Sequence, residues 1–356
     1  GQGLLPPNKV SADQTPSSGR RPSPERVPIG ERHSEVAPSP CEPLPLEKLF
    51  SLPEARRPSI AQQGVYYLQS RSGKHALVHQ TTAFAVPTLL GDTQDVRFFL
   101  PRPPKRESVL IVPELEDPVG YFLSQTFPGL HSAVWSEDGK QLLFTAPHLD
   151  RTRLSLKVWD GTKETLVASL KNSLSLIDFA PDGKKALLTQ AGASTPLSVW
   201  HLDSNALSPL PLPDTDTESA AFSADSAGVF FIERNQSART LAYFSLKKMA
   251  VKKLTDREVA ISSFRLSPDR RRLIAVENRD LASSFQGWEV DVEGFFSRKL
   301  RVPEENLAVV DPPAVLNSAV RGKASFFYTV GSPSSPTSLW YWDGEEKHLW
   351  TREPGG

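Results

Sequence analysis

The feature that most limits what this chain can fold into is an internal repeat. From residue 131 onward four segments align: Val134-Trp135-Ser136-Glu137-Asp138-Gly139-Lys140, Asp178-Phe179-Ala180-Pro181-Asp182-Gly183-Lys184, Ala221-Phe222-Ser223-Ala224-Asp225-Ser226-Ala227 and Arg265-Leu266-Ser267-Pro268-Asp269-Arg270-Arg271. Their aspartates, Asp138, Asp182, Asp225 and Asp269, are separated by 44, 43 and 44 residues. A second marker runs in phase with the first. Trp159, Trp200, Phe244 and Trp288 follow at spacings of 41, 44 and 44.

One unit is legible as physics. A large apolar residue ends a strand, and Ser/Ala-x-Asp-Gly-Lys turns the chain. Aspartate bonds its own backbone in such a turn, and glycine supplies the positive φ. Asp138, Gly139, Asp182, Gly183, Asp225 and Asp269 are therefore read as structural turn residues. A short apolar run returns, as in Leu142-Leu143-Phe144 or Leu273-Ile274-Ala275-Val276. A polar loop, the aromatic strand, a second turn such as Asp160-Gly161-Thr162-Lys163 and a weaker strand such as Val251-Lys252-Lys253-Leu254 complete it. Four antiparallel strands in roughly 40–45 residues are the size of a propeller blade.

The pattern continues at both ends with changes. Arg321-Gly322-Lys323 and Leu339-Trp340-Tyr341-Trp342-Asp343-Gly344 repeat the markers after 52 residues, measured from Arg270 to Gly322 and from Trp288 to Trp340. An insertion is expected between Trp288 and Gly322, around Val302-Pro303-Glu304-Glu305-Asn306. Upstream, Ala61-Gln62-Gln63-Gly64 before Val65-Tyr66-Tyr67-Leu68 fits the template without its aspartate. A degenerate blade over 92–130 carries Pro101, Pro103, Pro104, Pro113 and Pro118, and sheets confine proline to edges and ends. The fold class read from this is all-β, a seven-bladed β-propeller over 46–352. Its blades fall near 57–91, 92–130, 131–173, 174–216, 217–260, 261–310 and 311–352. Six blades is the alternative if the proline-broken segment is not one.

Composition accounts for the rest of the chain. Thirty-two prolines in 356 residues are nearly twice the roughly 5% background. Ten of them lie in residues 1–45, where no aromatic occurs before Phe50. Such a stretch buries too little apolar surface to offset its ordering entropy, so 1–45 reads as a disordered proline-rich arm and 353–356 as a short tail. Forty-one Lys+Arg balance 41 Asp+Glu, which argues against a nucleic-acid partner and a polybasic membrane binder. No apolar run is long enough for a transmembrane segment. The lone Cys41 excludes a disulfide framework and a cysteine zinc site. The chain begins at Gly1 and its one methionine is Met249, so the initiator is expected to have been removed; a signal peptide could have gone with it, and the absence of one neither argues for nor excludes the cytoplasm.

The Ser/Ala-x-Asp-Gly-Lys turn before a short apolar strand resembles the TolB-type, WD40-like propeller repeat. That repeat occurs in TolB proteins and in the N-terminal propellers of prolyl oligopeptidase-family serine peptidases. The residues carrying the likeness are Ser136 to Lys140, Ala180 to Lys184, Ser223 to Asp225 and Ser267 to Asp269, and the segment from Leu46 to Ile60 is similar to the start of such a peptidase propeller. The resemblance implies a periplasmic or secreted location and a protein or peptide partner. No Gly-x-Ser-x-Gly elbow occurs, so peptidase chemistry is not expected on this chain.

Chemistry-bearing constellations are sparse. His75 and His79 share one strand face without a third ligand, and no phosphate loop, dinucleotide fingerprint or triad can be assembled. No catalytic residue, metal or cofactor is therefore assigned. The tryptophans at matching blade positions read as inter-blade packing. One asymmetry stands out in the loops between second and third strands, where Arg151, Arg153, Arg234, Arg239 and Arg279 recur. A rim of guanidinium groups suits carboxylates, by bidentate bonds. The expected function is a non-catalytic binding or scaffold module engaging its partner through that rim. The alternative is the substrate-gating propeller of a prolyl oligopeptidase-family peptidase, separated from its catalytic domain.

Overall fold

The computed structural model describes residues 54–71, 73–90, 95–148, 151–171, 174–190, 197–212, 215–235, 238–255, 260–279, 282–290, 295–304, 308–317, 323–332 and 335–351. The arm assigned to 1–45 and the tail at 353–356 lie outside the described residues. Within the described residues every regular element is a strand. Short β-branched and aromatic runs bounded by Gly, Asp and Pro dictate that outcome.

Seven sheets follow one another along the described chain, over 54–89, 96–128, 132–171, 174–209, 215–253, 261–304 and 308–349. We number them blades 1 to 7. In the first six, four strands pair antiparallel in chain order. Seven apolar clusters join them. Each draws on two consecutive blades, and the one containing Ala55, Val65, Tyr67, Ala314, Phe327 and Leu339 joins blade 7 to blade 1. Side-chain packing thus closes the ring, and the blade count is seven. Phe122, Phe127, Phe144, Phe179, Phe222 and Phe231 are fully buried at these interfaces, and each such ring contributes about 1.5–3 kcal/mol.

Blade 3 shows how the repeat becomes a sheet. Its strands are Ser132–Trp135, Leu142–Pro147, Arg153–Trp159 and Glu164–Lys171. Leu142 faces Trp135 on one side and Trp159 on the other. The same column recurs as Phe179, Ala186 and Trp200, as Phe222, Val229 and Phe244, and as Leu266, Leu273 and Trp288. Trp159 packs into the blade 2–3 cluster and Trp200 into the blade 3–4 cluster. In the first of these, Trp159 meets Phe122 and Phe127 edge-on, with centroids 5.9 and 5.6 Å apart.

Blade 7 departs from the sequence alignment. Phe326 faces Val315 and Trp342, so the equivalent of Trp288 is Trp342 and not Trp340. The extra residues are distributed along the chain. The fourth strand of blade 6, Phe295–Glu304, has ten residues and includes Val302-Pro303-Glu304, where the insertion was expected. The first strand of blade 7 is divided into Ala308–Val309 and Ala314–Val315 by Val310-Asp311-Pro312-Pro313. Two prolines without the second strand's hydrogen bonds are compatible with that break.

Candidate functional site

An antiparallel meander places its turns at alternate ends. The turns between first and second strands, and between third and fourth, lie at one rim, here the turn rim. The loops between second and third strands lie at the other, here the loop rim.

At the turn rim the sequence motif becomes a hydrogen-bonded cage. Ser136 Oγ donates to Asp138 Oδ1 at 2.7 Å, and the Lys140 N–H donates to the same oxygen at 3.0 Å. Gly139 N–H and Gln141 N–H close on Ser136 O and Oγ, each at 2.9 Å. Blades 5 and 6 repeat the cage around Ser223/Asp225 and Ser267/Asp269. In blade 4, Ala180 has no hydroxyl, and Lys185 pairs with Asp182 instead. The backbone bonds hold Asp138 below the usual carboxylate range, with help from Ser136.

The residue after the aspartate adopts positive φ in every case: 68° at Gly139 and Gly183, 57° at Ser226 and 55° at Arg270. At Gly139 a second constraint acts. A Cβ there would lie 1.8 Å from the Pro103 carbonyl oxygen of blade 2. Arg102 approaches the same turn, donating from Nε to Gly139 O at 2.7 Å. Ser226 and Arg270 are not glycine and accept left-handed strain. Both reach across to other blades. Ser226 Oγ accepts from Asp182 N–H at 3.0 Å. Arg270 spans from blade 6 to blade 4, donating to Asp178 Oδ2 at 2.6 Å and Oδ1 at 2.8 Å, and also to Phe222 O and Phe179 O. Burial opposes its charge, but pairing with Asp178 raises its pKa overall. Both residues stand in the aligned repeat segments, where local pattern assigns them no contact beyond their own turn. A non-glycine at a position that demands positive φ was the available signal.

At the loop rim the structure places the five arginines singled out from the sequence. Arg151 is exposed in the blade 3 loop, and Arg153 opens the third strand opposite Lys171. Arg234 and Arg239 face each other as a cross-strand pair in blade 5. Two like charges so placed repel. Arg239 is half-buried and donates to Ser262 O of blade 6 at 3.3 Å, and burial lowers its pKa. Its role is in part blade-to-blade packing. Arg279 ends the second strand of blade 6, opposite Ala282.

Among the described residues no group of three or more His, Cys, Asp and Glu is placed to hold a metal ion. No described helix is long and apolar enough to cross a membrane. His79 Nε2–H donates to Gln63 O across 2.6 Å, and His75 contacts Ser70 Oγ, so the two histidines have separate partners.

Fold and rims together define the class: a seven-bladed β-propeller. Among solved structures the chain is similar to a prolyl endopeptidase at 14% identity and TM-score 0.60, covering 85% of this chain and 50% of that one. It is also similar to prolyl oligopeptidase B from Galerina marginata at 12% identity and TM-score 0.61, covering 85% and 52%. The chain thus spans about half the length of these peptidases. A TolB from Agrobacterium tumefaciens aligns at 14% identity and TM-score 0.41, over 69% of this chain and 80% of that one. At these identities the likeness to the two peptidases is one of fold. No model of a protein family matches the chain, and no curated protein matches it in sequence.

Proposed function

We propose that the chain is a non-catalytic propeller module that binds an acidic protein or peptide segment through its loop rim. The observation that carries this reading is the exposure of arginines around the loop rim. Arg151, Arg153 and Arg234 are exposed there, at the second-to-third-strand connections of blades 3 and 5. Guanidinium groups spaced around a ring match carboxylates along an extended peptide. Arg151, Arg153, Arg234 and Arg279 would make these contacts, with Arg239 holding blade 5 against blade 6. A periplasmic or secreted location accompanies this reading, and cell fractionation checks it.

The test is affinity capture with mass spectrometry, comparing the native chain with Arg153→Glu/Arg234→Glu/Arg279→Glu. Loss of the captured acidic partner supports the reading, and unchanged capture overturns it. The likeness to two prolyl peptidases favours a second reading, a substrate-gating propeller acting with a serine peptidase domain. A reading frame that continues past Gly356 into a Gly-x-Ser-x-Gly segment would support it. A stop codon there would exclude it.

A further inference from the structure

We propose that the cleft between blades 1 and 2 at the turn rim is a binding site for the lysine or arginine side chain of a peptide. This cavity of about 410 Å³ is lined by Gln62, Gln63, Tyr66, His79, Leu90, Glu107, Val109 and Ile111. Its volume lies in the range of ligand pockets. It exists because the blade 1–2 interface is filled differently from its neighbours. The blade 2–3 interface is packed with Phe122, Phe127, Trp135, Phe144 and Trp159. The blade 1–2 cluster has Tyr66 and Phe99 as its aromatic members, and Leu90, Val109 and Ile111 stay partly exposed beside it.

The chemistry of the walls selects the occupant. Leu90, Val109 and Ile111 form an apolar side that suits a methylene stem. Tyr66 and His79 stand against each other with ring centroids 4.8 Å apart, an aromatic wall toward which a cation is drawn. The Tyr66 hydroxyl is committed to Arg106 O at 2.9 Å, and His79 Nε2 to Gln63 O. Both rings are thereby held in place. Glu107 is exposed at the mouth and has no hydrogen-bond or ion-pair partner among the described residues. Its charge reaches into the cavity, adding to burial in raising the Tyr66 pKa. The Gln62 and Gln63 side-chain amides, also without hydrogen-bond partners among the described residues, offer further carbonyl oxygens. An apolar stem, an aromatic wall and an unpaired carboxylate in sequence match an aliphatic cation. An anionic side chain would meet Glu107 and a neutral one would leave it unpaired.

Titration with N-acetyl-Gly-Lys-Gly-amide, its arginine counterpart and its norleucine counterpart tests the assignment, read by NMR on the Tyr66 and His79 ring signals at low salt. The lysine and arginine peptides should shift these signals saturably and bind at least tenfold more tightly than the norleucine peptide. Glu107→Gln should erase that tenfold preference, while Glu114→Gln, an exposed acid outside the cavity, should leave it unchanged. Equal binding of lysine and norleucine peptides, an unaltered preference in Glu107→Gln, or no saturable shift with any peptide would each overturn the proposal. The cavity opens at the rim opposite the arginines, so neither result bears on the loop-rim reading.

Discussion

Two arcs of the ring are joined by different means. In the regular arc, blades 3 to 5, the sequence period reappears as the separation between bonded residues. Leu176 N–H donates to Ser132 Oγ, Asp182 N–H to Ser226 Oγ and Phe222 N–H to Asp178 Oδ2, and in each pair the partners are 44 residues apart. Equivalent positions touch because one repeat advances the ring by one blade. At the closing seam, blades 7 and 1 meet through groups that occur once. Buried Asp311 Oδ2 accepts from Arg56 Nε at 3.1 Å, Arg57 N–H at 3.0 Å and Thr329 Oγ1 at 3.0 Å. Gln80 Nε2 donates to Trp350 O at 2.8 Å while its Oε1 accepts from the buried Tyr67 hydroxyl, whose pKa burial pushes up to about 12. A repeat can stitch its own interior with one recurring bond. The last interface joins unlike ends, and specific charged and polar contacts take over there.

The largest effect should follow from cutting the seam. Asp311→Ala removes the common acceptor of three donors, two of them from blade 1, and should cost about 3 kcal/mol, read as a fall in the urea midpoint. A loss below about 1 kcal/mol would mean that apolar packing alone closes the ring. Between blades 6 and 4, Arg270→Ala leaves Asp178 short of its bidentate partner. With both side chains mostly buried, at 15% and 17% exposure, the expected loss is about 2–3 kcal/mol. Gly139→Ala should lose about 2 kcal/mol through its positive φ and the approach of Pro103 O. Blade 2 should loosen with it, visible as faster amide exchange over 96–128.

Two smaller effects sharpen the contrast. Trp200→Phe should change stability by less than about 1 kcal/mol. Its buried Nε1 finds no acceptor among the described residues, and blade 5 already carries Phe244 at the same place. Asp160, in the third-to-fourth turn of blade 3, is fully exposed, and bonds from Lys163 and Thr162 hold its pKa at about 2 against 3.8. A depressed carboxylate stabilises the fold above its unfolded pKa, so this turn's contribution should be complete above about pH 4 and lost as pH falls toward 2. A carboxyl NMR titration midpoint near 2 checks the assignment.

The Ser-x-Asp turns, the apolar second strands and the aromatic third strands were legible because local rules generate them. Turn chemistry and a two-residue strand period act over neighbouring residues. Which loops share a rim follows from the same rule, since turns alternate between the two ends of a meander. The choice of Trp340 over Trp342 shows the limit. Inside a Leu339-Trp340-Tyr341-Trp342 run, spacing cannot say which aromatic faces the second strand, and pairing with Phe326 decides it. The cavity stayed hidden because Tyr66 and Glu107 belong to different blades and meet only through packing.

The sequence by itself determined the unit of this protein: a four-stranded blade of about 44 residues, repeated, with proline-rich segments beside it. A period is a property of local structure, and it survives even where single motif residues are replaced. Tertiary structure alone decided that Arg270 of blade 6 would bond Asp178 of blade 4, that Asp311 would meet Arg56 across 255 positions of chain, and that blades 1 and 2 would leave a cavity. Those contacts depend on how far each repeat rotates around the axis and on how well adjacent sheets fill the gap between them. Both are outcomes of packing the whole ring, and no single repeat contains them.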